Sequence, residues 1–138
     1  MPKLEYSLTV YPFHIDAMGH VNNTIYAQWM EIGRVLLLEA VDMSIAQIMQ
    51  QGFGPVLVDT SISYKKPLFL GDRVSASIWI SKLKGASAEM SFEFLNQQGG
   101  VAATGTQRGL FVTLADQKPK RLSAEERDRF SHYLIELA

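Results

Sequence analysis

From Leu4 to Val10 apolar and polar residues alternate: Leu4, Tyr6, Leu8 and Val10 stand against Glu5, Ser7 and Thr9. A period of two is that of a half-buried strand, and Pro12 ends it or marks a sheet edge. Further on the period changes. In TIYAQWMEIGRVLLLEAV two adjacent helical stripes are apolar, Ile25-Trp29-Ile32-Leu36 and Tyr26-Met30-Gly33-Leu37-Ala40. Thr24, Gln28, Glu31, Glu39 and Asp42 make the polar face, with Arg34 near its edge. So wide an apolar arc predicts a helix covered on most of its circumference. Ala27, Gly33 and Ala40 would let neighbouring backbone come close.

The second half returns mainly to strands. Ser44 to Gln51 predicts a short helix closed by Gly52, and GFGP a turn. Val56 to Tyr64 alternates as a strand that Lys65-Lys66-Pro67 ends. GDRVSASIWISKL puts Val74, Ala76, Ile78 and Ile80 on one face, and AEMSFEFLN does the same with Ala88, Met90, Phe92 and Phe94. With Val101–Leu114 these runs, joined by short glycine turns, predict an antiparallel meander. SAEERDRFSHYLIEL opens with a capping box from Ser123 to Glu126 and places Phe130, Leu134 and Leu137 on one side of a final helix. The order makes the chain α+β, with one strongly curved antiparallel sheet wrapped around a long central helix. No repeat, low-complexity segment or linker divides residues 1–138, which read as a single domain.

Composition narrows the function. Thirteen Lys and Arg against 14 Asp and Glu give no electrostatic case for nucleic acid or an anionic membrane as main partner. Cysteine is absent, which excludes disulfides, a thiol nucleophile and Cys-based zinc sites. The first ten residues, MPKLEYSLTV, lack the apolar core of a signal peptide, and no apolar run approaches the ~20 residues of a membrane span. The expectation is a soluble cytoplasmic protein.

Chemistry concentrates in HIDAMGHVNNTIY, where the first strand gives way to the helix. Asn22 or Asn23 suits the N-cap, and Gly19 permits the tight turn before it. The free N–H groups of a helix's first turn, with the positive end of its dipole, form a site for developing negative charge. Asp16 lies just upstream. A carboxylate beside such donors is what acyl-transfer hydrolysis needs: one activates water or attacks a carbonyl, the others polarise its oxygen. The bland alternative is a set of turn and cap residues with His20 packed beside them. One cap needs one Asn, however, and here are two Asn, a His and an Asp. A His14-Asp16-His20 metal set is disfavoured, because the segment turns and no second carboxylate is near.

The segment DAMGHVNNTIYAQWMEIGR resembles the N-terminal signature of hotdog-fold thioesterases of the 4-hydroxybenzoyl-CoA thioesterase type. Its HVNN variant also resembles the plant and bacterial acyl-ACP thioesterases, and ISYKKPLFLGDRVSASIWI is similar to the family's next strand, Pro, Gly-Asp turn and strand. The resemblance implies a hotdog fold and hydrolysis of an acyl-CoA or acyl-ACP thioester without metal or cofactor. Asp16, three residues before Gly19, matches the family's catalytic carboxylate, acting as general base or nucleophile. Asn23 matches the backbone N–H oxyanion donor, and Tyr26 a Tyr common in the first helical turn. Gly19, His20 and Asn22 complete the expected substrate-binding turn, with His20 orienting the carboxylate, binding substrate or filling the turn. By the same resemblance the chain self-associates as a dimer or tetramer, with Val58 and Asp59 of the second long strand lining a partner's site. The HVNN variant leans towards fatty acyl chains.

Related hotdog enzymes carry the carboxylate on the central helix opposite a loop glycine. Glu31 and Gly54 are the nearest candidates for that arrangement, ranked below Asp16 because Glu31 pairs naturally with Arg34. A hotdog hydratase is a second reading, but its Asp-x-Asn-Pro-x-His pattern puts His five residues after Asp. Here His20 follows Asp16 by four and Asn-Pro is missing. A non-catalytic acyl-thioester-binding domain is a third, against which Asp16 counts. Among the basic residues near strand ends (Lys65, Lys66, Arg73, Lys82, Lys84, Arg108), Lys65 and Lys66 are the pair expected to meet coenzyme A phosphates or an acidic carrier protein. Trp29, Met30, Phe53, Leu57 and Trp79 are expected mostly in the core, with Met30, Phe53 and Leu57 candidates for an acyl pocket.

Overall fold

The computed structural model describes residues 2–136. Its elements are β1 (Leu4–Thr9), α1 (Asn23–Ala40), α2 (Ile45–Gln50), β2 (Phe53–Tyr64), β3 (Arg73–Lys84), β4 (Ser87–Leu95), β5 (Val101–Thr113) and α3 (Ala124–Ser131). The strands form one antiparallel sheet in the order β1-β3-β4-β5-β2. The meander β3-β4-β5 occupies its centre, and β1 and β2, which flank α1 and α2 in sequence, close its two edges.

Strand parity decides which side chains meet α1. Val74, Ala76, Ile78 and Ile80 of β3 and Met90, Phe92 and Phe94 of β4 are all buried, as the alternation predicts. Against them α1 buries Ile25, Tyr26, Trp29, Met30, Leu37 and Leu38. Trp79, on the opposite parity, leaves the core and lies on the outer face beneath the Lys3 ammonium, 4.2 Å from its ring centre. The apolar arc of α1 is also less covered than its width predicts. Ile32 is exposed, and so are Ala27 and Ala40, so of the three small residues Gly33 alone meets a close neighbour, and that neighbour is a ring rather than backbone.

Gly33 carries a tight contact. A Cβ there would lie 2.5 Å from Tyr6 Oη and 2.9 Å from Cζ. Tyr6 reaches across from β1 to donate its hydroxyl to Trp29 O (2.8 Å). Gly33→Ala must displace a ring that is held by that bond, and is expected to cost about 1–3 kcal/mol. Urea unfolding checks this: a Tyr6→Leu background should remove most of the penalty.

Two boundaries differ from the sequence pattern. Phe53, Gly54 and Pro55 belong to β2 and not to a turn: the turn is made by Gln51 and Gly52, the glycine at φ +90°. Phe53 is buried edge-on against Phe111 (5.5 Å, 85°), which holds the chain extended. Pro55 is tolerated because β2 is an edge strand. At the other end, the capping box from Ser123 to Glu126 is present, but α3 stops at Ser131. Leu134 leaves the helical stripe and bridges Ile80 in parallel, with Ile80 N–H donating to Tyr133 O and Ile135 N–H to Ile80 O. Sheet pairing at β3 outcompetes another helical turn. Leu137 lies outside the described residues.

Candidate active site

The segment between β1 and α1 folds into a three-rung ladder. Asn22 N–H donates to His14 O (2.8 Å), Ile15 bridges Val21, and Asp16 N–H donates to His20 O (2.9 Å). Gly19 N–H closes the tip on Asp16 O (3.0 Å), at φ +78°, where a side chain would be strained. A single 3-10 turn, Pro12–His14, feeds this ladder. The ladder ties Asp16, near its tip, to the segment that leads into α1 rather than leaving it on a loose loop.

Asp16 Oδ1 accepts from Met18 N–H (2.9 Å), which orients the carboxylate. Among the described residues Oδ2 has no hydrogen-bond partner. The cap is Asn22: its Oδ1 accepts from Thr24 N–H and Thr24 Oγ1–H, both at 3.0 Å, and its carbonyl accepts from Ile25 N–H (2.9 Å). With Asn22 N–H spent on His14 O, the N–H groups before and after Asn23 are both used. Among the described residues the Asn23 N–H donates to nothing, at the positive end of an 18-residue helix. A half-buried carboxylate with a free oxygen and an unspent helix-terminal N–H therefore share one short ladder. That pair can take up a proton and hold an oxyanion.

The neighbours have different fates. Tyr26 is buried, edge-on to Trp29, Tyr64 and Phe94, and burial, with Tyr64 beside it, pushes its phenol up to about 12. It stays protonated and fixes the first turn of α1 to the sheet. Tyr64 adds a hydrogen bond to Asn23 O (3.3 Å). His20 lies edge-on to Phe69 (5.3 Å, 86°). His14 is turned away: its Nδ1 accepts from Tyr11 N–H (3.0 Å) and its ring sits edge-on to Trp29 (5.6 Å, 85°). Among the described residues no three His, Asp or Glu converge as metal ligands.

Burial lowers the His14 pKa below its ordinary 6.5. A depressed folded value means that the stabilisation is complete above pH 6.5 and is lost as pH falls from there through the folded value. The thermal midpoint should fall over that interval, and His14→Phe should flatten that part of the profile.

Val58 and Asp59 are not brought to Asp16 within one chain. Val58 is the extra residue of a bulge between Leu57 and Asp59 on the β2 edge, and it is exposed. Asp59 Oδ2 accepts from Arg108 Nη2 (2.7 Å) and Nε (2.9 Å) across the ladder. Lys65 and Lys66 are exposed just beyond β2, their backbone N–H groups both donating to Ala102 O. Glu31 is exposed and ion-paired only loosely with Arg34, at 3.9 Å. Gly54 is buried within β2 beside Met49, in a strand rather than in a loop.

A cavity of about 480 Å3 opens elsewhere, between the C-terminal half of α1 and strands β2, β4 and β5. Leu57 lines it; Met30, Phe53 and the residues from Asp16 to Asn23 do not. At its rim Arg34 Nη1 donates to Oε1 of the buried Gln107 (2.5 Å), whose Nε2 donates to Thr60 Oγ1 (3.2 Å). No motif in the sequence marks Gln107. Its signal was parity, for Ala103, Gly105, Gly109 and Phe111 share its inward face and are small or apolar.

Among the described residues no helix is long and apolar enough to cross a membrane. Residues 10–130 match the thioesterase-like superfamily. YneP of Bacillus subtilis (strain 168), named as a candidate acyl-CoA thioesterase, is 30% identical over 104 residues, 75% of each chain. The chloroplastic acyl-acyl carrier protein thioesterase ATL3 of Arabidopsis thaliana is 26% identical over 134 residues, 94% of this chain and 68% of that one. In structure, a DHNA-CoA thioesterase from Staphylococcus aureus superposes with a TM-score of 0.86 at 24% identity, over 95% of this chain and 88% of the other.

Proposed function

The chain belongs to the thioesterase-like superfamily and has a hotdog fold, and from that premise we propose that it hydrolyses an acyl-CoA or acyl-ACP thioester to carboxylic acid and thiol. The observation that carries this reading is that, among the described residues, Asp16 Oδ2 and the Asn23 N–H have no hydrogen-bond partner, and one short ladder links the two residues. The thioester carbonyl oxygen accepts from Asn23 N–H, so charge developing on that oxygen meets the helix terminus. Asp16 either takes a proton from the attacking water or itself bonds the carbonyl carbon, forming an anhydride that water then opens. In both routes the C–S bond breaks and the thiolate leaves, taking up a proton. Gly19 sets the turn, Asn22 spends its side chain on the cap, His20 pairs with Asp16 through its backbone carbonyl, and Tyr26 holds the helix entrance.

In this reading two chains pair through β2, and Val58 and Asp59 of one line the site of the other; two such dimers make the tetramer. Lys65 and Lys66 meet the phosphates of coenzyme A or the acidic face of a carrier protein. The enzyme works in the cytoplasm and needs no cofactor. Both acyl-CoA and acyl carrier protein names occur among the relatives, so the carrier is a matter for assay. The test is thiol release from aliphatic and aromatic acyl-CoAs and matching acyl-ACPs. Turnover of an aliphatic member is expected; a folded protein that hydrolyses none would be a binding domain.

A further inference from the structure

The cavity beneath α1 is a poor match to the chemistry at Asp16 and a good one to something else. Its volume of about 480 Å3 falls within the range of roughly 300–1,000 Å3 usual for small-molecule sites. Its walls are hydrocarbon and thioether: Leu38, Met49, Leu57, Met90, Phe111 and Phe130. Such a lining takes an alkyl chain.

Among the described residues that line it, Arg34 is the one cation. A guanidinium offers five N–H donors, and Arg34 spends its strongest bond on Gln107, a neutral amide. Its carboxylate neighbour, Glu31, is 3.9 Å away and 68% exposed, beyond hydrogen-bond range and largely in water. Among the described residues Nε and Nη2 make no hydrogen bond. Arg34 is itself only 20% exposed, so a charge that is partly removed from water lacks a full counter-ion. Gln107, buried and tied to Thr60, holds the guanidinium at the rim rather than neutralising it. An apolar chamber with a half-satisfied guanidinium at its entrance complements an aliphatic chain that ends in a carboxylate.

We propose that this cavity binds a free aliphatic carboxylate, its chain among Leu38, Met90, Phe111 and Phe130 and its carboxylate on Arg34. The site is separate from the Asp16–Asn23 ladder within the chain. It does not depend on the hydrolytic reading. If that reading also holds, the ligand has the chemistry of the reaction's own product, and the cavity becomes a place where accumulating acid is held.

Calorimetric titration of the full chain with decanoate and with decan-1-ol tests this. The unmodified protein should bind decanoate once per chain and at least tenfold more tightly than the alcohol of equal length. Arg34→Gln should bring the two affinities together. Ala88→Phe, which adds a ring to the cavity wall, should weaken both. Asp16→Asn should leave decanoate affinity unchanged, whatever it does to hydrolysis. Absence of saturable binding to the unmodified protein, or alcohol bound as tightly as acid, would overturn the proposal without reference to any variant. So would unchanged decanoate affinity in a folded Ala88→Phe, or a tenfold loss in Asp16→Asn, since either places the ligand elsewhere.

Discussion

Asp16→Asn is expected to lower kcat for thioester hydrolysis by about 10²–10⁴-fold with little change in thermal midpoint. The substitution suits the question because Asn keeps an oxygen where Oδ1 accepts from Met18 N–H. The turn therefore survives, and so do the rungs above it, which are made by backbone. What disappears is the negative charge and the basic Oδ2, the atom with no other partner. In the proposed mechanism the carboxylate works on the transition state, so with the Asn23 N–H and binding contacts intact KM should move far less than kcat. Thiol release measured beside a melting curve separates chemistry from folding. A kcat within tenfold of the unmodified protein would remove Asp16 from the mechanism.

The second large effect is expected at the edge of the sheet. β2 is a 12-residue edge strand, and Val56, Leu57 and Val58 stand 39–45% exposed on it. A long apolar edge with unpaired backbone groups is a template for pairing with another strand. Among the described residues no strand other than β5 pairs with it. Pairing with a second β2 would satisfy those groups and bury the valines. Antiparallel pairing would also bring Val58 and Asp59 towards the other chain's helix entrance, because Tyr64 at the far end of β2 already touches Asn23 O. Val58→Lys places a charge at the bulge, where it does not break the β2–β5 ladder. Sedimentation should find a dimer or larger assembly for the unmodified chain and monomers for the variant, with hydrolysis reduced at least tenfold and circular dichroism unchanged. Full activity in a monomeric variant would show that one chain suffices.

How far the fold was legible follows from where its information lies. The inward faces of β3 and β4 could be read from alternation, and the start of α3 from its capping box, because parity and caps are properties of neighbouring residues. The end of α3 could not. Leu134 continues a helical stripe in sequence, and only the open edge of Ile80's backbone, contributed by a strand far away in the chain, draws residues 133–135 into sheet pairing. GFGP misled for a related reason: local turn chemistry pointed one way, and the Phe53–Phe111 contact decided the other.

The candidate site divides in the same manner. Residue types and spacing in HIDAMGHVNN placed a carboxylate, a glycine turn and a helix cap within ten residues, since that chemistry is local. Which Asn caps the helix, and hence that the N–H of Asn23 is the one left over, required the hydrogen bonds themselves. The engagement of Asp59 with Arg108 joins residues 49 apart, and that of Arg34 with Gln107 joins residues 73 apart. The sequence by itself determined the elements, their faces and the polar entrance to α1, because each depends on short-range periodicity and backbone conformation. The tertiary structure alone decided which polar groups are already spent, where the cavity lies and which edge is left open, because partnership and enclosure depend on segments that only folding brings together.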